Sequence, residues 1–278
     1  MDSAQQFDII IIGAGLSGLF SLMNHVFYLL QLAAYILLGI SALTRVRQQL
    51  PKSSVAVFEK GGHVGGTWAK NTYPGLSCDI PSQVRNQRRL PPSPGESSEA
   101  SSLTKITGQL YSYSFAQNPE WSEVYASQPE ILAYIESVVS RFDHSSHIHL
   151  NQECTAAEWR DDEFLWRVHF VERESGRTYV KNARFLITAI GFCDTPNGAE
   201  GIRGIQNFGG RMFHSANWDH SFDLRDKNVV VVGNGCSANQ FVPHLVKHAE
   251  IRSMVQVMKS PHWIAPKDNG PVPAWQKW

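Results

Sequence analysis

The chain has 278 residues, 42% apolar and 18% charged, which suits one large globular domain or two modest ones and excludes a generally disordered chain. Lys plus Arg number 25 and Asp plus Glu 25, so no positive field exists to gather phosphate backbones, and nucleic acid is set aside as a partner. The four cysteines, Cys78, Cys154, Cys193 and Cys236, are far apart and the first twelve residues carry no basic n-region; neither a disulfide framework nor a secretory signal is indicated, and the expected location is cytoplasmic.

Phe7 to Ile12, FDIIII, reads as a fully buried strand, and Gly13 to Gly18, GAGLSG, follows at once. In a strand–turn–helix that binds a dinucleotide, Gly13 allows the tight turn, Gly15 lets the backbone approach a pyrophosphate, and Gly18 lets the helix pack on the strand. The phosphates then sit at the positive end of the helix that begins near Leu16. The pattern also needs an acid about 20 residues on, at the end of the second strand, for the ribose hydroxyls. Ser54 to Phe58, SVAVF, is that strand and Glu59 that acid, but Glu59 lies 41 positions after Gly18. Setting residues 20–40 aside reduces the separation to 20.

The excess coincides with residues 26–43, VFYLLQLAAYILLGISAL, an uncharged run of 18 that meets the lower length limit for a membrane span. A crossover between parallel strands needs only about a dozen residues, and a helix crossing a bilayer cannot also pack on the sheet it connects. The run therefore reads as a spliced-in apolar segment, with a single-pass membrane anchor as the less favoured alternative.

After Glu59 come GGTW, Gly65 to Trp68, and YPGLSCDIP, Tyr73 to Pro81. With Glu59, these residues resemble the FAD-binding half of class B flavoprotein monooxygenases, the Baeyer–Villiger type in particular. The resemblance implies that Glu59 holds the adenosine ribose, that Thr67 and Trp68 lie along the flavin, and that Asp79, followed by Ile80, stands beside the isoalloxazine and the nicotinamide. The family pattern continues into a Tyr-x-Tyr-Ser-Phe segment, here within LYSYSF and beginning at Tyr111. Residues 84–109 intervene, rich in Pro, Ser and Gly and unable to build core. They are either a surface insertion or, like residues 20–40, translated intron; without them Tyr111 falls six positions after Asp79.

Gln128 to Phe142 is predicted as a packed helix. The runs HIHL, WRVHF and TYVKN predict a three-stranded meander laid over a doubly wound sheet, with RFLITAI returning to that sheet. His144, His147 and His149, and the helical pair His244 and His248, lack the spacing and neighbours of metal ligands, and no metal is expected.

Phe208 to Asp219 reads FGGRMFHSANWD and carries F-x-G-x-x-x-H-x-x-x-W through Phe208, Gly210, His214 and Trp218, with Asp219 where the resembled family often has Pro. In that family the histidine couples the two nucleotide domains, and Gly191 in Ala-Ile-Gly matches the passage of the chain between them. Asn228 to Val232, NVVVV, then leads into a second glycine turn, Gly233, Gly235, Ser237 and Ala238. Two dinucleotide turns in one chain are what the use of FAD and NADPH together requires. The following strand ends at Met258 in Lys259 and Ser260, where the family has Arg-Ser; a lysine pairs the 2′-phosphate of NADPH as a point charge without the bidentate fork.

The expected fold is α/β, with two Rossmann-like doubly wound domains: residues 1–200 bind FAD and include a β-meander, and residues 201–278 form an incomplete NADPH domain. The resemblance implies that NADPH reduces the flavin, O2 adds to give a C4a-peroxyflavin, and a small-molecule ketone, plausibly a natural-product intermediate, is oxidised, with Asp79 and His214 as the catalytic candidates. The sequence stops short of the family's catalytic arginine, so activity is expected in a longer chain or with a completing partner. The alternatives are a catalytically dead remnant, membrane-tethered through residues 26–43, and an N-hydroxylating flavin monooxygenase.

Overall fold

The computed structural model describes residues 6–15, 39–79, 111–191, 194–196, 198–199, 201–261, 263 and 269–272. Strand β1 (Gln6–Ile12) is central to a six-stranded sheet. Ile9 and Ile11 turn to one side, in a core cluster with Leu43, Val55 and Val57, whereas Ile10 and Ile12 join Ala56, Phe58 and Phe170 in another. A strand buried on both faces needs apolar side chains at every position, which is why it reads as an unbroken run.

Helix α1 (Gly39–Gln49) and strand β2 (Val55–Phe58) follow, β2 pairing parallel to β1 with Ile9 opposite Val55. Ile40 and Leu43 of α1 are fully buried. Gly39 and Ile40, which spacing alone puts inside the set-aside segment 20–40, are therefore part of the packed helix. Residues 16–38, including Leu16, Gly18 and most of the apolar run 26–43, lie outside the described residues. Among the described residues no helix is long and apolar enough to cross a membrane.

The short helix α2 (Thr67–Lys70) comes next, and then α3 (Gln128–Arg141), on which Ile131, Ile135 and Val138 recur at helical spacing and are buried. Just beyond α3, His144 is 1% exposed. Its Nδ1 accepts from Arg47 Nη1 at 3.1 Å and its Nε2 lies 2.7 Å from Thr44 Oγ1, which donates to the Ile40 carbonyl. Arg47 Nη1 also donates to the carbonyls of Phe142 and Asp143, at 2.7 and 2.8 Å. Burial, reinforced by the Arg47 charge, lowers the His144 pKa to about 4.

Strands β3 (Ile148–His149), β4 (Gln152–Arg160), β5 (Leu165–Glu172) and β6 (Thr178–Thr188) complete the sheet in the order β3-β2-β1-β6-β5-β4. The expected meander is corrected in three respects. TYVKN and RFLITAI are one eleven-residue strand, β6, whose first half pairs antiparallel with β5 and whose second half pairs parallel with β1. The third meander strand is β4, QECTAAEWR, an edge strand whose largely polar sequence hides it from an apolar-pattern reading. Of HIHL, only Ile148 and His149 form a strand, parallel to β2 and away from the meander.

The chain divides into two compact units, Met1–Pro74 with Leu132–Arg225, and Gly75–Ile131 with Asp226–Trp278. The second contains a β–α–β arrangement: β7 (Asn228–Val232), α4 (Cys236–His248) and β8 (Ser253–Val257), with β7 and β8 parallel from Asn228 opposite Ser253 to Val232 opposite Val257. Ala238, Phe241 and Leu245 of α4 and Val231 of β7 are buried, and Val230, Val232, Val255 and Val257 are exposed.

Candidate functional site

The first glycine turn is held by the protein's own backbone. Gly13 N donates to the Phe58 carbonyl at 2.8 Å, joining the ends of β1 and β2. Gly13 has φ +101°, and a Cβ there would lie 2.5 Å from the Ala189 carbonyl oxygen, so conformation and space both demand glycine. Glu59, buried at the end of β2, accepts from Ala14 N through Oε2 at 2.7 Å and from Gly61 N through Oε1 at 2.8 Å. Each carboxylate oxygen retains a lone pair beyond these bonds, the acceptor capacity that ribose hydroxyls require.

The GGTW loop meets this turn directly. Gly65 N donates to the Ala14 carbonyl at 3.0 Å, and a Cβ on Gly66 would come 2.9 Å from Gly15 Cα. α2 then starts at Thr67 and buries Trp68. A cavity of about 490 Å3 is lined by Gly13, Gly15, Glu59, Thr67 and Trp68. These predicted residues are thus brought together around one space with a close-approach backbone turn and an acid beside it, a donor and acceptor set that fits FAD.

Lys60, Lys70 and Asp194, which line the same cavity, were not legible in the sequence. Both lysines pair with Asp194, Lys70 at 3.3 Å from Oδ1. Partial burial raises the Asp194 pKa, but the Lys60 and Lys70 ammonium groups outweigh it and hold the carboxyl below its usual range. No local pattern links positions 60, 70 and 194; only the sheet topology does.

The second glycine turn is more open. Gly233 N donates to the Val257 carbonyl at 2.8 Å, and Gln256 Nε2 to the Gly233 carbonyl at 2.8 Å. Asn234 Nδ2 donates to the Ser260 carbonyl at 2.9 Å, which draws Ser260 and the exposed Lys259 to the turn. Gly233 has φ +111°, yet a Cβ on Gly233 or Gly235 would meet nothing within 4 Å among the described residues. Ser237 and the buried Ala238 lie in the first turn of α4.

Asp79 belongs to the same unit and faces that helix. Gln240 Nε2 donates to Asp79 Oδ1 at 2.5 Å and to the Ser77 carbonyl at 2.9 Å. Burial and the Asp79 carboxylate push the Cys236 thiol pKa up. Tyr111 is buried beside Cys78 and Asp79, and burial raises its phenol pKa well above the ordinary value. Asp79 and Tyr111, 32 positions apart in sequence, are neighbours in space. Gln240 is a site residue that sequence reasoning missed; its place one turn into a helix after a glycine turn was the available signal. Ile80 lies outside the described residues.

The family described as L-lysine 6-monooxygenase/L-ornithine 5-monooxygenase matches residues 103–273. A Baeyer-Villiger monooxygenase of Pseudomonas aeruginosa is 34% identical over 229 residues, 82% of this chain and 37% of the relative. The FAD-binding monooxygenase BOA2 of Botryotinia fuckeliana is 32% identical over 240 residues, 86% of this chain and 40% of the relative. The crystal structure of cyclohexanone monooxygenase from Rhodococcus sp. Phi1 bound to NADP+ superposes with a TM-score of 0.71 at 27% identity, covering 99% of this chain and 42% of that one. The chain belongs to the Baeyer–Villiger-type flavoprotein monooxygenases. It spans about two fifths of the length of the curated relatives it matches.

In this chain the F-x-G-x-x-x-H-x-x-x-W residues lie in the first unit. The Phe208 ring lies over Gly210, 2.8 Å from where a Cβ would stand. His214 Nδ1 accepts from Ala216 N at 3.0 Å and caps the short 3-10 turn Ser215–Asn217, which places the ring proton on Nε2. Trp218 stands edge-on to Phe213, with ring centroids 5.2 Å apart. Asp219, in the place of the frequent proline, accepts from Arg211 Nε at 2.9 Å and Nη2 at 2.5 Å. Hydrogen bonds from Ser221, followed by those from Arg211, keep its carboxyl below the usual range.

The set-aside histidines have packing roles: His144 is clasped by α1, His147 Nδ1 lies 3.1 Å from the Val55 carbonyl, and His149 stacks on Phe58 with centroids 4.9 Å apart. Among the described residues no group of three His, Cys, Asp or Glu side chains is placed to hold a metal ion.

Proposed function

We propose that the first unit, which accounts for most of the FAD domain expected at residues 1–200, binds FAD through Gly13, Gly15, Glu59, Thr67 and Trp68. The NADPH residues are Gly233, Gly235, Ser237, Ala238, Lys259 and Ser260 of residues 201–278. The complete protein is a Baeyer–Villiger monooxygenase that oxidises a small ketone with O2. The observation that supports this reading best is the pair of parallel strand–glycine turn–helix units, the first with an acid at the end of its second strand and the second with a cation. FAD bound at the first turn supplies the two-electron and oxygen chemistry; NADPH supplies the electrons.

The chain's own tasks are to bind and orient. Glu59 is held by Ala14 N of the glycine turn through Oε2 and by Gly61 N through Oε1, so its remaining lone pairs are set for the ribose. Asp79, fixed by Gln240, stands beside α4, the helix that follows the second glycine turn, as a hydrogen-bond acceptor. His214 acts through the loop it caps, as a positioning residue. Purified protein is expected to be yellow with a flavin spectrum, and NADPH is expected to bleach it anaerobically. A colourless protein that takes up no added FAD overturns the reading in favour of a catalytically dead remnant.

The match of residues 103–273 to the lysine and ornithine monooxygenases favours amine hydroxylation as the second reading. Stimulation of NADPH oxidation by cyclic ketones and not by lysine or ornithine supports the ketone reading; the reverse supports the second.

A further inference from the structure

We infer that Gly39, and not Gly18, is the helix-packing glycine of the FAD turn, and that the residues between them are dispensable for folding and flavin binding. This rests on the reading of the first turn as the FAD pyrophosphate site.

The third glycine of such a turn is needed where the helix backbone comes hard against the end of the first strand. Gly39 meets that requirement. A Cβ built on it would lie 2.0 Å from the Gly13 carbonyl oxygen, 3.0 Å from the Gly13 carbonyl carbon and 3.2 Å from Ala14 Cα. No side chain fits in that gap, and the neighbouring atoms are backbone that cannot swing away. Gly39 is the first residue of α1, whose Ile40 and Leu43 are fully buried and whose Thr44 and Arg47 clasp His144. α1 therefore occupies the crossover between β1 and β2, where the helix of a dinucleotide unit belongs.

The count agrees independently. Glu59, whose carboxylate accepts from Ala14 N in that turn, lies 20 positions after Gly39, the interval the fingerprint asks for between its glycines and its acid. Joining Gly18 directly to Ile40 removes residues 19–39 and writes Gly13-Ala14-Gly15-Leu16-Ser17-Gly18-Ile40-Ser41, an uninterrupted three-glycine turn running into the same helix. Removing residues 18–38 gives an identical sequence, because a glycine ends one segment and begins the other.

The two glycines are thus alternatives for one position, and substitutions distinguish them by context. The full chain and the chain lacking residues 19–39 are purified, and FAD affinity is measured by quenching of flavin fluorescence, alongside thermal melting. The deleted chain is expected to bind FAD within about threefold of the full chain and to melt no lower. Gly39→Val in the full chain is expected to lower FAD affinity about tenfold or more, whereas Gly18→Val in the full chain leaves it unchanged. The same Gly18→Val in the deleted chain is expected to be as damaging as Gly39→Val was in the full chain; a general destabilisation by valine does not produce that reversal.

Loss of affinity from Gly18→Val in the full chain, or loss of folding on deletion, overturns the inference. If neither chain takes up FAD, the cofactor reading falls on its own. The same reciprocal pattern in the melting temperatures then still decides which glycine packs the helix.

Discussion

The two glycine turns of this chain share a strand–turn–helix plan and differ in what requires their glycines. At the first, Gly13 and Gly66 are pressed against Ala189 and Gly15 by the fold, so glycine is demanded before any ligand arrives. At the second, a Cβ on Gly233 or Gly235 would meet nothing within 4 Å among the described residues, and the positive φ of Gly233 imposes the backbone requirement. Gly235, at φ −72°, meets no backbone or steric demand for glycine among the described residues. Under the proposed function, glycine there serves the close approach of NADPH to the backbone. One sequence pattern therefore covers two situations: at the first turn the fold itself demands glycine, and at the second the demand is proposed to come from the ligand.

Substitutions at the first turn probe its architecture most severely. Gly13→Ala combines a left-handed backbone with a 2.5 Å contact to the Ala189 oxygen and is expected to cost about 4 kcal/mol or more, read as a loss of soluble protein or a collapse of the denaturation midpoint. A variant of near-native stability breaks the comparison. Leu43→Ala removes a fully buried side chain from the helix that seats this turn, and chemical denaturation is expected to show a loss of about 3 kcal/mol.

The clasp on α1 gives the first unit a pH dependence. His144 has a folded pKa lowered to about 4, so the unfolded chain takes up its proton first as pH falls. The stability it contributes is whole above its unfolded pKa, near 6.5, and is lost progressively between there and about 4. Denaturation at pH 7 and pH 5 is expected to differ by about 2 kcal/mol from this group, and His144→Gln is expected to flatten that part of the profile.

The smallest stability effect sharpens the contrast. Gly235→Ala is expected to change stability by less than about 0.5 kcal/mol. It is nevertheless expected to weaken NADPH binding about tenfold, as measured by isothermal titration. A large stability loss at Gly235 erases the distinction between the turns.

Asp79 and Tyr111 repeat the lesson of Gly13 and Gly39. In both pairs residues far apart in sequence are adjacent in space, and in both the intervening segment accounts for the departure from the spacing expected of the turn or motif. Spacing arithmetic marked both departures, and the described residues bear on the first. It placed the first boundary just past Gly39 and Ile40, because counting positions cannot tell which of two glycines touches a strand end. Edge strand β4 escaped because polar exposed residues leave no apolar period, and β6 was divided in two because the partner of a strand changes along its length without any mark in its own sequence.

Local elements were legible along the chain: apolar β-branched runs that must be buried, glycines at the turns that follow them, and Glu59 and Lys259 at or just past the ends of the next strands. These depend on neighbours within a few residues, which the chain spells out directly. Tertiary structure alone decided that Gly39 meets Gly13, that Gln240 fixes Asp79, and that Lys60 and Lys70 share Asp194. Such pairings arise from the order in which strands assemble, and no periodicity along one chain encodes which distant side chains that order brings within hydrogen-bonding reach.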